Sequence, residues 1–227
     1  MRIVSLFFWL FLAGCTSVSG DASVLVKLVR QSWQDTPLTN FSNGLNPQYR
    51  YLWLHVTGRS PVVLALGFEE VTPNGVLETW YSADNAFVQT VNGRLASVRG
   101  LAHQWTSVRW LGQPALDDAA ASPVVRTRDV LPSHAFGVTD QLMTQIVAFS
   151  HVPANVLPGV GERAFWSQYS WLKETALTQP AAYALPDAWF ALGQHRGLRS
   201  TVAGFQCMAK DFCLSFARWP LEPLPKP

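Results

Sequence analysis

Residues Tyr49–Val56 place Tyr49, Tyr51, Trp53 and His55 on one face and Leu52, Leu54 and Val56 on the other. A period of two marks a strand. The same reading predicts strands over Val62–Phe68, Val76–Tyr81, Ala86–Val91, Arg94–Val98 and Trp105–Leu111. It continues through Val124–Val130, Leu142–Val152, Phe165–Leu172, Trp189–Leu192, Gly197–Phe205 and Phe212–Trp219. Turn signals separate them: Gly58-Arg59-Ser60-Pro61, Thr72-Pro73-Asn74-Gly75, and Pro153, Pro158-Gly159, Pro180 and Pro186 further on. Asn92-Gly93 is the strongest hairpin signal, because both residues tolerate positive φ. Gly112 to Pro123, rich in Ala, Asp and Pro, is the one candidate internal boundary. The tail from Pro220 to Pro227 holds four prolines and ends the last strand. Many short strands with turns between them predict an all-β fold, an antiparallel barrel or sandwich rather than βαβ units.

Only Ser23–Trp33 breaks this pattern. Leu25, Leu28, Val29 and Trp33 recur at helical spacing, with Lys27, Arg30 and Gln31 on the other face. A short N-terminal helix is expected there, with Asp21 or Ser23 as its N-cap.

The first residues set the compartment. Arg2 precedes an apolar run, Ile3 to Phe11, and then Leu12-Ala13-Gly14-Cys15. The run is too short to span a bilayer, which takes about 20 apolar residues, and it has the order of a secretory signal. Leu-Ala-Gly-Cys resembles a bacterial lipobox, with cleavage after residue 14 and acylation of Cys15. Residues 15–22 then form a lipidated tether, and 23–227 form a single β-rich domain. Thr16, in place of Asp, points to the outer membrane, with the domain facing the periplasm. The remaining cysteines, Cys207 and Cys213, lie six apart. In an oxidising compartment they fit a disulfide closing a hairpin, with two buried thiols as the alternative.

Composition narrows the function. Charged residues are 14% of the chain, against roughly 25% in ordinary soluble domains, and the net charge is +2. Nucleic-acid binding needs a clustered basic excess and is not expected. Removal of Arg2 with the signal brings the balance to 16 − 15 = +1, so lipid rather than a basic patch is the expected membrane attachment.

The string from Trp80 to Leu95 carries further information. Trp80-Tyr81-Ser82-Ala83-Asp84-Asn85-Ala86 leads through a short strand to Asn92-Gly93-Arg94-Leu95. It resembles the YjbF/GfcB family, lipoproteins of group 4 capsule and exopolysaccharide gene clusters. Asn46-Pro47-Gln48-Tyr49, the strand ending Ala65-Leu66-Gly67-Phe68, Gly197-Leu198-Arg199-Ser200 and the closing strand with Phe216 extend the resemblance. It implies a barrel-like domain at the outer membrane, acting in polysaccharide export or assembly beside other secretion proteins. It implies no catalytic residues and no cofactor. Cys207 and Cys213 are a departure from the family pattern, as is Pro114–Pro123. Within the string, Trp80, Ser82, Asp84, Asn85, Asn92, Gly93 and Arg94 read as structural, with a surface that contacts glycan or a partner protein as the alternative. Asp84 and Asn85 suit an Asx-type turn, Gly93 supplies positive φ, and Arg94 is a candidate partner for Asp84.

Candidate chemistry is sparse. Sugar hydrolysis needs two carboxylates facing one another. Glu69-Glu70 are neighbours on one strand and point to opposite faces, and Asp117-Asp118 sit in the Ala-rich loop. His55, His103, His134, His151 and His195 make no metal-ligand spacing. There is no Gly-x-Ser-x-Gly elbow and no phosphate loop in a strand–helix context. The tryptophans have two readings, as core filler or as surfaces that stack on sugar rings. Trp105 and Trp110 are opposite in parity, so a regular strand turns one of them away from the core. The leading expectation is a non-enzymatic lipoprotein supporting capsule or exopolysaccharide production, with direct glycan contact left open. The alternative is a lipoprotein that carries a lipid or other apolar ligand inside a β-barrel.

Overall fold

The computed structural model describes residues 45–83, 86–112, 116, 124–195 and 198–221. The signal, Cys15, the Ser23–Trp33 helix, Asp84, Asn85 and Asp117-Asp118 lie outside the described residues. Twelve strands follow in order: β1 (Tyr51–Val56), β2 (Val62–Thr72), β3 (Gly75–Tyr81), β4 (Phe87–Val91), β5 (Arg94–Arg99) and β6 (Gln104–Leu111). Then come β7 (Val124–Leu131), β8 (Ala135–Val147), β9 (Ser170–Gln179), β10 (Ala188–His195), β11 (Leu198–Ala209) and β12 (Phe212–Trp219). Each pairs antiparallel with its sequence neighbours, and β12 closes onto β1 from Tyr51↔Trp219 to Val56↔Leu214. The ring is a closed barrel, which leaves no edge strand to template aggregation. This is the all-β, barrel-like fold that the alternation predicts.

Two predicted strands are displaced. Leu142–Val152 proves to be the second half of β8, followed by 3-10 turns at Phe149–His151 and Ala154–Val156. Phe165–Leu172 splits into a one-turn helix, α1 (Arg163–Trp166), and the start of β9. The connection between β8 and β9 holds Pro153, Pro158 and Gly161, and it lies over the outer wall instead of joining the sheet. Val152, Val156, Trp166 and Tyr169 from it pack with Trp171, Trp189, Ala191, Ala203 and Ala217 of β9–β12. Trp166 is the anchor. Its indole N–H donates to the Val160 carbonyl at 2.8 Å, and its own carbonyl accepts from the Trp171 indole at 3.0 Å. Both rings are thereby buried with their polar atom satisfied.

The strand parity on β1 holds: Leu52, Leu54 and Val56 enter the central core with Leu64, Trp80, Val98, Phe190 and Phe216. On β6 a register shift between Trp105 and Ser107 changes the face of the strand. Trp105 and Trp110 are therefore both buried, which corrects the expectation drawn from a regular strand.

At one end of the barrel Cys207 and Cys213 face each other in register across the β11–β12 hairpin and form a disulfide. A loop this short still restricts the unfolded chain by about 2 kcal/mol in the chain-entropy model. Reduction is expected to lower the unfolding free energy by about that amount without opening the barrel. Urea unfolding with and without dithiothreitol measures it.

Candidate functional site

The Asn92–Leu95 string does something unusual for a hairpin tip. Residues 94–98 of β5 are all buried, so this strand has protein on both faces. Its pairing with β6 is limited to Val98↔Trp105. Beyond that point β5 parts from β6, while β4 stays paired with β3 as far as Leu77↔Val91, and the hairpin reaches β11, six places away in the ring of twelve. The Asn92 carbonyl accepts from Thr201 N–H at 3.2 Å, and Leu95 N–H donates to the Gln206 side-chain carbonyl at 3.1 Å.

The described residues of the string have structural tasks. The Asn92 side chain accepts from Val76 N–H at 3.0 Å and donates to the Asn74 carbonyl at 3.3 Å, tying the hairpin to the β2–β3 turn. Asn92 and Gly93 both take positive φ, 49° and 79°, as a two-residue type I′ turn requires. Ser82 brackets the β3–β4 connection, with its N–H and its hydroxyl both donating to the Ala86 carbonyl at 2.9 Å. Arg94 pairs with Glu174 of β9 at 3.1 Å. Its expected partner, Asp84, is outside the described residues.

Arg94 opens onto a buried ionic network that the sequence reading did not identify. Glu174 also pairs with Arg126 at 3.6 Å. Asp140 accepts from the Nε atoms of Arg126 and Arg128, each at 2.8 Å, from the Arg128 terminal nitrogen at 3.2 Å, and from the Thr178 hydroxyl at 2.7 Å. The guanidinium carbons of Arg126 and Arg128 lie 4.9 and 5.1 Å from the centre of the Trp105 ring, close enough for cation–π attraction. Burial pushes the Arg94 guanidinium below its ordinary pKa, and Glu174 opposes that shift. Burial alone would raise the Asp140 carboxyl. Arg126, Arg128 and the Thr178 hydroxyl outweigh it and hold the group below the usual carboxylate value. This network joins β5 to β7, β8 and β9 through the interior.

A second polar chain lies at the mouth opposite the disulfide. The Trp80 indole donates to the Thr90 hydroxyl at 3.2 Å, that hydroxyl donates to Glu78 at 2.8 Å, and Arg218 donates to the same Glu78 oxygen at 2.6 Å. Glu69 stands opposite Glu78 in the β2–β3 register and pairs with Arg50 at 3.7 Å. Above this chain is a cleft of about 240 Å³, lined by Arg50, Tyr51, Glu78, Trp80, Arg218 and Trp219 among others. A neighbouring groove of about 190 Å³ shares Arg218, Trp219 and Leu221 and runs over Trp53, Phe165 and Trp166. Burial raises the Tyr51 hydroxyl pKa in the cleft wall.

The neighbouring carboxylates Glu69 and Glu70 differ in burial, with Glu70 exposed. The cross-strand pair Glu69 and Glu78 was not foreseen. Glu78 is already an acceptor for Arg218 and Thr90, which makes it a structural anchor rather than a poised acid or base. Among the described residues no group of three or more His, Cys, Asp and Glu side chains is placed to hold a metal ion.

No protein-family model matches the chain, and no curated protein matches it. Among solved structures, the hypothetical lipoprotein YmcC from Escherichia coli (K12) has a similar fold, with a TM-score of 0.52 over 81% of this chain and 93% of that one. The two are 17% identical, so the likeness is one of fold. The barrel described here is thus an architecture that a hypothetical lipoprotein shares.

Proposed function

We propose that this protein is a lipoprotein of the outer membrane, anchored through Cys15 and facing the periplasm. In this reading it supports export or assembly of a capsule or exopolysaccharide beside other secretion proteins, without catalysis and without a cofactor. The observation that carries the reading is the Asn92–Leu95 hairpin. Asn92, Arg94 and Leu95 of the string that resembles the YjbF/GfcB family hold β5 across the barrel, which supports an architectural role for them. The fold shared with a hypothetical lipoprotein and the Leu-Ala-Gly-Cys sequence support the anchor. The interior favours a scaffold over a carrier of apolar ligands, because buried β5 and the Arg94–Glu174 ion pair take up interior space.

Deletion of the gene is expected to lower surface polysaccharide, restored by the wild-type copy. A Cys15→Ser copy is expected neither to incorporate radioactive palmitate nor to restore the polymer. Unchanged polysaccharide after deletion overturns the role, and palmitate labelling of Cys15→Ser overturns the anchor. Lipid attachment through two or more chains is strong enough to be stable, so fractionation should follow the labelling.

A further inference from the structure

The cleft at the barrel mouth combines an aromatic surface with paired charges. Trp219, partly exposed, gives it an aromatic wall, and the buried rings of Tyr51 and Trp80 lie behind its floor. Its polar groups are charges already matched in pairs: Arg218 with Glu78 and Arg50 with Glu69. A phosphate or other strong anion selects for uncompensated cations, and an acyl chain selects for an apolar lining. A pyranose matches neither of those descriptions and fits this one. One face of the ring is a sheet of weakly positive C–H groups, which pack on the negative face of an aromatic ring. Its rim is made of hydroxyls that both donate and accept, which suits the partly exposed Arg50 and the half-buried Gln194 at the edge of the cleft.

We propose that the cleft binds a neutral sugar ring of the polysaccharide, packed on the exposed part of Trp219. This rests on the export role proposed above and gives that role a direct contact with the polymer. The size agrees. About 240 Å³ is below the roughly 300–1,000 Å³ of pockets that enclose drug-sized ligands, a size for a single ring rather than a larger ligand. The open shape suits an internal stretch of a polymer, which must enter and leave sideways.

The test is calorimetric titration of the full-length lipoprotein in detergent with short oligosaccharides released from the producing strain's own polysaccharide by partial acid hydrolysis. The wild type is expected to bind. Trp219→Ala and Arg50→Gln are each expected to weaken binding about tenfold, with circular dichroism melts confirming that each variant is folded. Arg50 is 39% exposed at its side chain, so its replacement leaves the interior alone. Raising sodium chloride to about 0.5 M, where charge attraction is screened within a few ångströms, is expected to leave the affinity unchanged. Failure of the wild type to bind overturns the assignment, as does binding that neither variant weakens or that collapses in salt. The deletion experiment reads the export role independently. Loss of surface polymer with no oligosaccharide bound removes the cleft assignment and keeps the role, while binding with unchanged surface polymer does the reverse.

Discussion

Replacing Asp140 with alanine is expected to lower the unfolding free energy by about 3–5 kcal/mol, the cost of removing one partner from a buried ion pair. Asp140 is fully buried and accepts four hydrogen bonds, three of them from Arg126 and Arg128. Without it two guanidiniums face the interior with Glu174 as the remaining acid in the network, and that acid already serves Arg94. Desolvated charge is what makes the loss large, so Asp140→Asn, which keeps the shape, is expected to fall in the same range. Thr178→Val removes one hydroxyl donor and leaves the charges paired, at about 1 kcal/mol. Urea unfolding followed by tryptophan fluorescence ranks the three. An Asp140→Ala loss no greater than that of Thr178→Val would show that the network contributes no charge compensation.

The same residue gives the protein an acid limit. The Asp140 carboxyl is held below its ordinary pKa in the folded state, while in the unfolded chain it titrates near 3.9. The unfolded state therefore binds the proton first as pH falls. The contribution is complete above about pH 4 and is lost as pH drops through the folded value. Wild-type stability should fall in that window, and Asp140→Asn, which has no proton to gain there, should show a shallower fall.

The wall of the barrel was legible in the sequence because a period of two survives wherever one face of a strand is buried and the other is not. On Tyr51–Val56 the alternation is one of residue type, aromatic against aliphatic, although both faces are buried. The interior was less legible for a physical reason. Arg126 and Arg128 share a face of β7, and on a strand of unknown surroundings two arginines at spacing two read as solvated. Their partner Asp140 stands on β8, whose first half was not predicted, and Glu174 and Thr178 lie on the part of β9 beyond the predicted Phe165–Leu172. Without those registers no pairing rule applies. The β6 bulge likewise depends on packing: nothing local to Trp105–Trp110 says that both rings turn inward. The Asn92-Gly93 turn was readable because its backbone demand is local. Its destination was not, since the contact from Leu95 to Gln206 spans 111 residues.

That destination makes the second large prediction. Gly93→Ala is expected to cost about 3 kcal/mol, from two sources. At φ 79° any side chain pays about 1–2 kcal/mol for the left-handed conformation. An added methyl would also stand 2.3 Å from the Thr201 carbonyl oxygen and 2.6 Å from its Cβ. A backbone oxygen cannot rotate away, so the clash adds about 1–3 kcal/mol, as overpacking does elsewhere. Gly58 supplies the control. It has nearly the same backbone conformation, φ 78°, in the β1–β2 turn, with no atom within 4 Å of the position its Cβ would take. Gly58→Ala should therefore show the conformational cost alone. The difference between the two variants, measured by urea unfolding under one set of conditions, isolates the contact between the hairpin tip and β11. If Gly93→Ala costs no more than Gly58→Ala, the hairpin is not held against the far wall, and the architectural reading of the Asn92–Leu95 string loses its main support.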